Sequence, residues 1–330
     1  MSDPMSTDGE VVAMLCSHLS LGDSEELRVA PFTLKEWNAL SRRISDSELK
    51  RPSGLLGLDQ DDLMRALALD QSEAKRIAQL LNRRETMALE LENLAAAGIW
   101  CVTRDDEAYP ARLRSSLKHQ APVVLFGAGE LKIFNLPAIA IIGSRNLDDS
   151  AIDFALSVGR LCAEQSIVAV SGGARGTYRI AMEAALDAGG KAVGVLADSL
   201  RRFIRQPDVQ EFIVNGRLVL LTPYGPDNGF SIGAAMGRNK VIYGSADYAV
   251  VVSSEYQKGG TWAGAFENLQ ASWCPTFVRS AEDVPAGNRE LLNKGARALT
   301  AARLRELHDL FAWMKTNAHT SPQQGQLLPV

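Results

Sequence analysis

"AIAIIGSRNLDDSAIDFALSVGRLCAEQSIVAVSGG", residues 138–173, is the stretch that decides the fold. It holds two short apolar runs, AIAIIG and IVAVSG, each stopping at glycine, with the amphipathic stretch DSAIDFALSVGRLCAEQ between them. Small and β-branched residues without polar alternation mark strands buried on both faces. A helix between two such strands carries the chain back across the sheet, so the strands run parallel. The rhythm continues downstream. KAVGVLA, RLVLLTP, YAVVVSS and PTFVRS are further apolar runs, and TYRIAMEAALDAGG is another amphipathic stretch. The pattern predicts an α/β fold with a doubly wound, mostly parallel sheet of the extended Rossmann type.

Upstream the period changes. PFTLKEWNALSRRI and EAKRIAQLLNRRETMALELENLAAAG carry apolar residues at helical spacing, which predicts a helical N-terminal domain over residues 1–97. Within it, GLDQDDLMRALALDQSEA fits two short helices joined by a Gly-containing turn, with Asp59 and Asp70 as N-caps. Such a unit resembles a helix-hairpin-helix or SAM-like module; a plain helical bundle fits the spacing as well. Residues 98–137 form a connector with two strand-like runs that docks on the following sheet. The Rossmann domain is drawn over 98–297. Residues 298–330 hold one helix, TAARLRELHDLFAWMK, and a loose tail.

Composition excludes several classes. No apolar run is long enough to span a bilayer, so no membrane partner is expected. The polar, acidic start MSDPMSTDGE lacks the pattern of a signal peptide, and a cytoplasmic location is expected. The four cysteines (Cys16, Cys101, Cys162 and Cys274) form no CxxC pair and are read as buried free thiols. The four histidines are dispersed, so neither a metal nor another cofactor is expected. A net charge of −4 argues against a uniformly basic coat and leaves room for a local basic face.

That face is expected at the strand ends. In doubly wound sheets ligands sit beyond the carboxyl ends of the strands. One strand runs into Gly143-Ser144-Arg145-Asn146, and the next into Ser171-Gly172-Gly173-Ala174-Arg175-Gly176. A third is followed by Lys258-Gly259-Gly260-Thr261 just before a helix. Glycine permits positive φ and close approach of backbone N–H groups to an anion. A helix N-terminus adds free donors and partial positive charge. Gly172 in particular is expected to hold a positive φ. Arg145, Arg175 and Lys258 would add formal charge. A glycine-rich turn alone is weak evidence, and neither GxGxxG nor GxxxxGK[ST] is present. The coincidence of three strand ends that pair Gly or Ser with a cation favours a phosphate-bearing ligand. Arg201, Arg202 and Arg205 read equally well as part of that face or as solvated surface charge.

AIAIIGSRN, VAVSGGARG, GGKAVGVLADSL, MGRNKVIYGSADYAVVVSS, GGTWAGAFENL and GNRELLNKGA follow one another in an order and spacing that resemble the DNA-processing protein A (DprA/Smf) family. Upstream, DDEAYPARLRSSLKHQAPVVLFGAGEL resembles the family's entry segment, so the likeness covers roughly residues 105–297. The resemblance implies an extended Rossmann fold that binds single-stranded DNA without catalysis, protects incoming strands and loads a recombinase. By motif it assigns phosphate contact to Arg145, Arg175, Arg238, Asn239 and Lys240. It admits a homodimer. The chain departs from the family at Thr177-Tyr178, where Ile-Asp is usual, at Lys258-Gly259-Gly260-Thr261, where Ser-Gly-Ser is usual, and at the lead SIGAAM into Arg238. Two other functions are weighed. DprA-like proteins also stand beside toxin genes in anti-phage modules, as ShosA-like antitoxins facing a phosphoribosyltransferase-like toxin. GGTWAGAFE also resembles LOG nucleotide hydrolases, with Glu267 as the candidate carboxylate.

Overall fold

The computed structural model describes residues 5–21, 29–172 and 177–318. The chain opens with α1 (Thr7–Cys16), α2 (Leu34–Asp46), α3 (Gln60–Leu67), α4 (Gln71–Leu81) and α5 (Arg84–Ala96). The connector supplies β1 (Trp100–Thr103), α6 (Ala111–Leu117) and β2 (Val124–Ala128). Then come β3 (Ala138–Ile142), α7 (Asp149–Glu164), β4 (Val168–Gly172), α8 (Thr177–Asp187) and β5 (Lys191–Val195). The short helices α9 (Leu200–Phe203) and α10 (Pro207–Val214) lead to β6 (Leu218–Thr222), α11 (Ile232–Gly244) and β7 (Tyr248–Val251). The chain ends in α12 (Gly259–Ala271), β8 (Thr276–Arg279), α13 (Ala286–Asn293), β9 (Arg297–Leu299), α14 (Ala301–Glu306) and α15 (Leu310–Asn317).

The nine strands form one sheet in the order β1-β2-β6-β5-β4-β3-β7-β8-β9. From β6 to β9 every pairing is parallel, as the apolar runs imply; β1 and β2 add an antiparallel flank. The connector is therefore part of the sheet rather than a segment docked on it. Period-2 burial sends Ile139 and Ile141 of β3 to one face and Ala140 and Ile142 to the other. The first face is covered by α7, α8, α14 and α15, through Phe154, Val158, Ala181, Leu304, Leu310 and Met314 among others. The second is covered by α6, α11, α12 and α13, through Leu113, Val241, Trp262 and Leu291 among others.

Local chemistry sets the helix boundaries. Asp148 caps α7 by accepting from the Ala151 N–H at 2.7 Å, and Ser231 caps α11 by accepting from Ala234 at 3.0 Å. Asp59 and Asp70 cap α3 and α4 as expected, each accepting at 2.8 Å. The turn between those two helices does not use glycine: Ala68 stands there with φ 50°. The predicted terminal helix is two helices. Gln165, at the end of α7, donates to the Leu307 carbonyl at 3.5 Å and accepts from the Leu310 N–H at 2.7 Å. Its side chain satisfies both cut ends of the backbone, and Asp309 caps the second piece. β9, which the sequence pattern does not reveal, is three residues long and spans the boundary drawn at 297. Cys101, Cys162 and Cys274 are buried, but Cys16 is only half-buried.

The N-terminal helices share a core with the sheet's flank: Val11, Leu15, Leu63 and Ile77 lie in one cluster with Val124, Phe126 and Leu220. A buried carboxylate fixes this junction. Asp106 Oδ1 accepts from the Ser6 N–H at 2.8 Å and the Ser6 hydroxyl at 2.6 Å. Its Oδ2 accepts from the Thr103 N–H at 2.7 Å and the Thr103 hydroxyl at 2.8 Å. Asp106→Ala leaves these donors without an acceptor and is expected to lower the unfolding free energy by about 3 kcal/mol, read as a fall in the urea midpoint.

Candidate nucleic-acid interface

The sheet order reverses at β3. Its neighbours are β4 on one side and β7 on the other, and the helices that follow β3 and β7 leave to opposite faces. Such a switch point opens a crevice at the carboxyl ends of the strands. Here it is a cleft of about 590 Å³. The turn Gly143-Ser144-Arg145-Asn146 forms one wall, α11 supplies Arg238 and Asn239, and Lys258-Gly259-Gly260-Thr261 closes the other side.

Backbone bonds hold these loops together. The Ser144 N–H donates to the Ser253 carbonyl at 2.9 Å, joining the turns that leave β3 and β7. The Ser144 hydroxyl accepts from the Asn146 N–H at 3.3 Å. Asn239, buried, donates from Nδ2 to the Gly260 carbonyl at 3.0 Å and so ties α11 to the first turn of α12. Lys258 occupies the N-cap of α12, and a lysine side chain has no acceptor with which to cap. The leading N–H groups of α12 therefore remain for an anion at this helix end, beside the lysine's own charge. Arg145 and Lys258 are both exposed at the mouth.

Not every expected residue joins the cleft. Ser171 is fully buried, and its hydroxyl donates to the Ile141 carbonyl at 2.6 Å, linking β4 to β3. It is a sheet fastener rather than a ligand donor. Gly172 does not have the positive φ expected of it. It is glycine for lack of room: a Cβ there would lie 1.9 Å from Nη1 of Arg238. Lys240 is half-buried and is not among the residues that line the cleft. Burial pulls its ammonium below the usual lysine range, and the Glu267 carboxylate pushes it partly back. Glu267 is exposed on α12 and is not among the described lining residues either. Arg201 pairs with Asp227 at 2.9 Å and with Glu90 at 3.7 Å, and Arg202 with Asp198 at 3.4 Å. Gly173, Arg175 and Gly176 lie outside the described residues.

The cleft also holds residues that the motifs do not point to. Phe230, Ile232 and Met236 line it while remaining 56%, 77% and 41% exposed. Tyr256 stands exposed next to the lining residue Glu255, its ring edge-on to Trp262 at 5.0 Å. Large apolar side chains gathered at one opening mark a binding surface. Their signal in the sequence is the lead into Arg238, where SIGAAM departs from the family pattern.

The sequence model of the family described as DNA recombination-mediator protein A matches residues 100–308. The chain belongs to this family. Among curated relatives, the DNA processing protein DprA of Streptococcus pneumoniae is 33% identical over 205 residues, covering 60% of this chain and 70% of that protein. The crystal structure of DprA from S. pneumoniae superposes with a TM-score of 0.65 at 20% identity, covering 87% of this chain and 96% of that one. A DprA structure from Helicobacter pylori, described for its single-stranded DNA binding mode, gives a TM-score of 0.51 at 24% identity, covering 63% of this chain and 93% of that one. The DprA fold is thus shared over both the sheet and its helical neighbour. Among the described residues no helix is long and apolar enough to cross a membrane, and no group of three or more His, Cys, Asp or Glu side chains is placed to hold a metal.

Two adjacent glycines of this cleft serve different ends. Gly259 has φ +74° with open space around it, whereas a Cβ on Gly260 would meet its nearest atoms at 3.5 and 3.6 Å. Gly259→Ala is expected to cost about 1–2 kcal/mol for the left-handed backbone. Gly260→Ala should be nearly neutral. Urea midpoints of the two variants, measured side by side, check the contrast.

Proposed function

We propose that the cleft binds single-stranded DNA. Phosphates lie against Arg145, Lys258 and the first turn of α12, and unstacked bases lie on the apolar rim. The observation that carries this reading is the pairing of exposed Phe230, Ile232 and Met236 with Arg145 and Lys258 around one opening. Cations alone would suit any polyanion. An apolar rim suits a strand whose bases are free to leave the stack, because every base offers a π-face. A duplex keeps those faces inside. Membership of a family of DNA-processing proteins supports the same reading.

Glu255 is the one carboxylate among the described lining residues, with no histidine or second acid beside it to form an acid–base pair. The loops supply donors and charge at fixed positions, which is enough to hold a strand and present it to another macromolecule. Glu267→Gln, outside the lining, should leave binding unchanged.

Binding of a labelled oligothymidylate, followed by anisotropy across a salt series, tests the proposal. Arg145→Ala and Lys258→Ala should each flatten the log–log salt slope by about 0.7, the contribution of one phosphate on a single strand. Phe230→Ala should keep the slope and lose about 1–3 kcal/mol of affinity, the value of one stacked base. A parent protein that prefers the duplex, or slopes unchanged in both cation variants, would remove the reading.

A further inference from the structure

We propose that Arg238 is a positioning residue: it clasps the ends of β4 and β5 and contacts no phosphate. The inference rests on the DNA-binding reading of the cleft, in which Arg238 would otherwise be counted as a phosphate ligand because of its motif and its charge.

Arg238 sits on α11 and is only 4% exposed. Its Nη1 donates to the Val195 carbonyl, the last residue of β5. Its guanidinium also packs against Gly172, the last residue of β4: an added Cβ would stand 1.9 Å from Nη1, 2.6 Å from Cζ and 2.9 Å from Nη2. Gly172 and Val195 are register partners across the β4–β5 pair. The arginine therefore closes over the final rung of that ladder, with Nη1 bonded to one strand end and the guanidinium against the other. A planar fork can lie on a glycine and donate in its own plane; a lysine ammonium has neither property. The surroundings of α11 reinforce the placement. Tyr224 donates to the Ala234 carbonyl at 3.0 Å, and a Cβ on Gly237 would stand 2.7 Å from its hydroxyl. Burial raises the Tyr224 hydroxyl above its usual range, and the charge of Arg238 offsets part of that rise.

The clasp fixes the height of α11 above the sheet. Met236 and Asn239, one on the apolar rim and one bound to the Gly260 carbonyl, ride on that helix. Arg238 thus sets the spacing between rim and phosphate loops without touching the strand.

A cycle of four full-length proteins tests this: the parent, Gly172→Ala, Arg238→Ala and the double variant. Each is measured for melting temperature and for oligothymidylate affinity across a salt series, well below its melting point. Gly172→Ala and Arg238→Ala should each lower the melting temperature and weaken binding by about tenfold. The double variant should be no worse than Arg238→Ala alone, because removing the guanidinium makes room for the methyl group. The salt slope should equal the parent's in all four. Losses in melting temperature that add, a slope flatter by about 0.7 in Arg238→Ala, or a folded Arg238→Ala that binds like the parent would each overturn the proposal. If Arg238→Ala does not fold, Arg238→Lys decides. It keeps the charge and loses the fork, so it should bind more weakly at an unchanged slope, and parent-like binding would overturn the clasp. If the parent itself fails to bind oligothymidylate, the DNA reading falls, and the thermal cycle alone still tells whether the clasp exists.

Discussion

The chain enters its parallel sheet in the middle. β3 is laid down first among the parallel strands, and the later ones are added outward, β4 to β6 on one side and β7 to β9 on the other. Right-handed crossovers on the two sides must then leave to opposite faces. No helix can cover the carboxyl end of β3, where the two directions part. The cleft exists because of that winding. Its walls are the turns that cannot avoid meeting there, and the Ser144–Ser253 backbone bond records their meeting.

Glycine takes three physical roles around this opening and beyond it. At Gly259 the backbone is left-handed with free space about it, so conformation is what excludes a side chain. At Gly172 the backbone is ordinary and a neighbouring guanidinium takes the volume of a Cβ. At Gly159, outside the cleft lining, a Cβ would lie 2.4 Å from the Ala181 carbonyl, so its absence lets α7 and α8 pack closely against each other. In sequence the three look alike. Only the surroundings tell whether φ, a side chain or a helix axis imposed the residue.

The same distinction separates what the sequence makes legible from what it hides. The strands β3 to β8 are legible because a continuous apolar run, flanked by amphipathic stretches, suits a strand buried on both faces and little else. β9 is not: three residues carry too little pattern, and one of them is exposed. The break between α14 and α15 is hidden because its cause, Gln165, lies 145 residues from Leu310. In the cleft, the backbone turns and Arg145, Lys258 and Asn239 are visible as motifs. Ser171 and Lys240 share those motifs, but the Ser171 hydroxyl is spent on the Ile141 carbonyl and Lys240 is not among the residues that line the cleft. The apolar rim escapes notice because an isolated Phe230 or Ile232 in a sequence reads as core. It becomes a surface only once its neighbours fail to cover it.

The junction at Asp106 has a consequence for biosynthesis. Its partner Ser6 leaves the ribosome 100 residues earlier. The apolar face of α1, with Val11, Val12 and Leu15, is thus made long before β1 and β2 exist to receive it. Until then it can bury itself only among the early helices or against whatever folding helper is at hand. An interruption of translation before Asp106 releases a product whose α1 can keep only the helical part of its seat, against Leu63 and Ile77, without the carboxylate that holds Ser6.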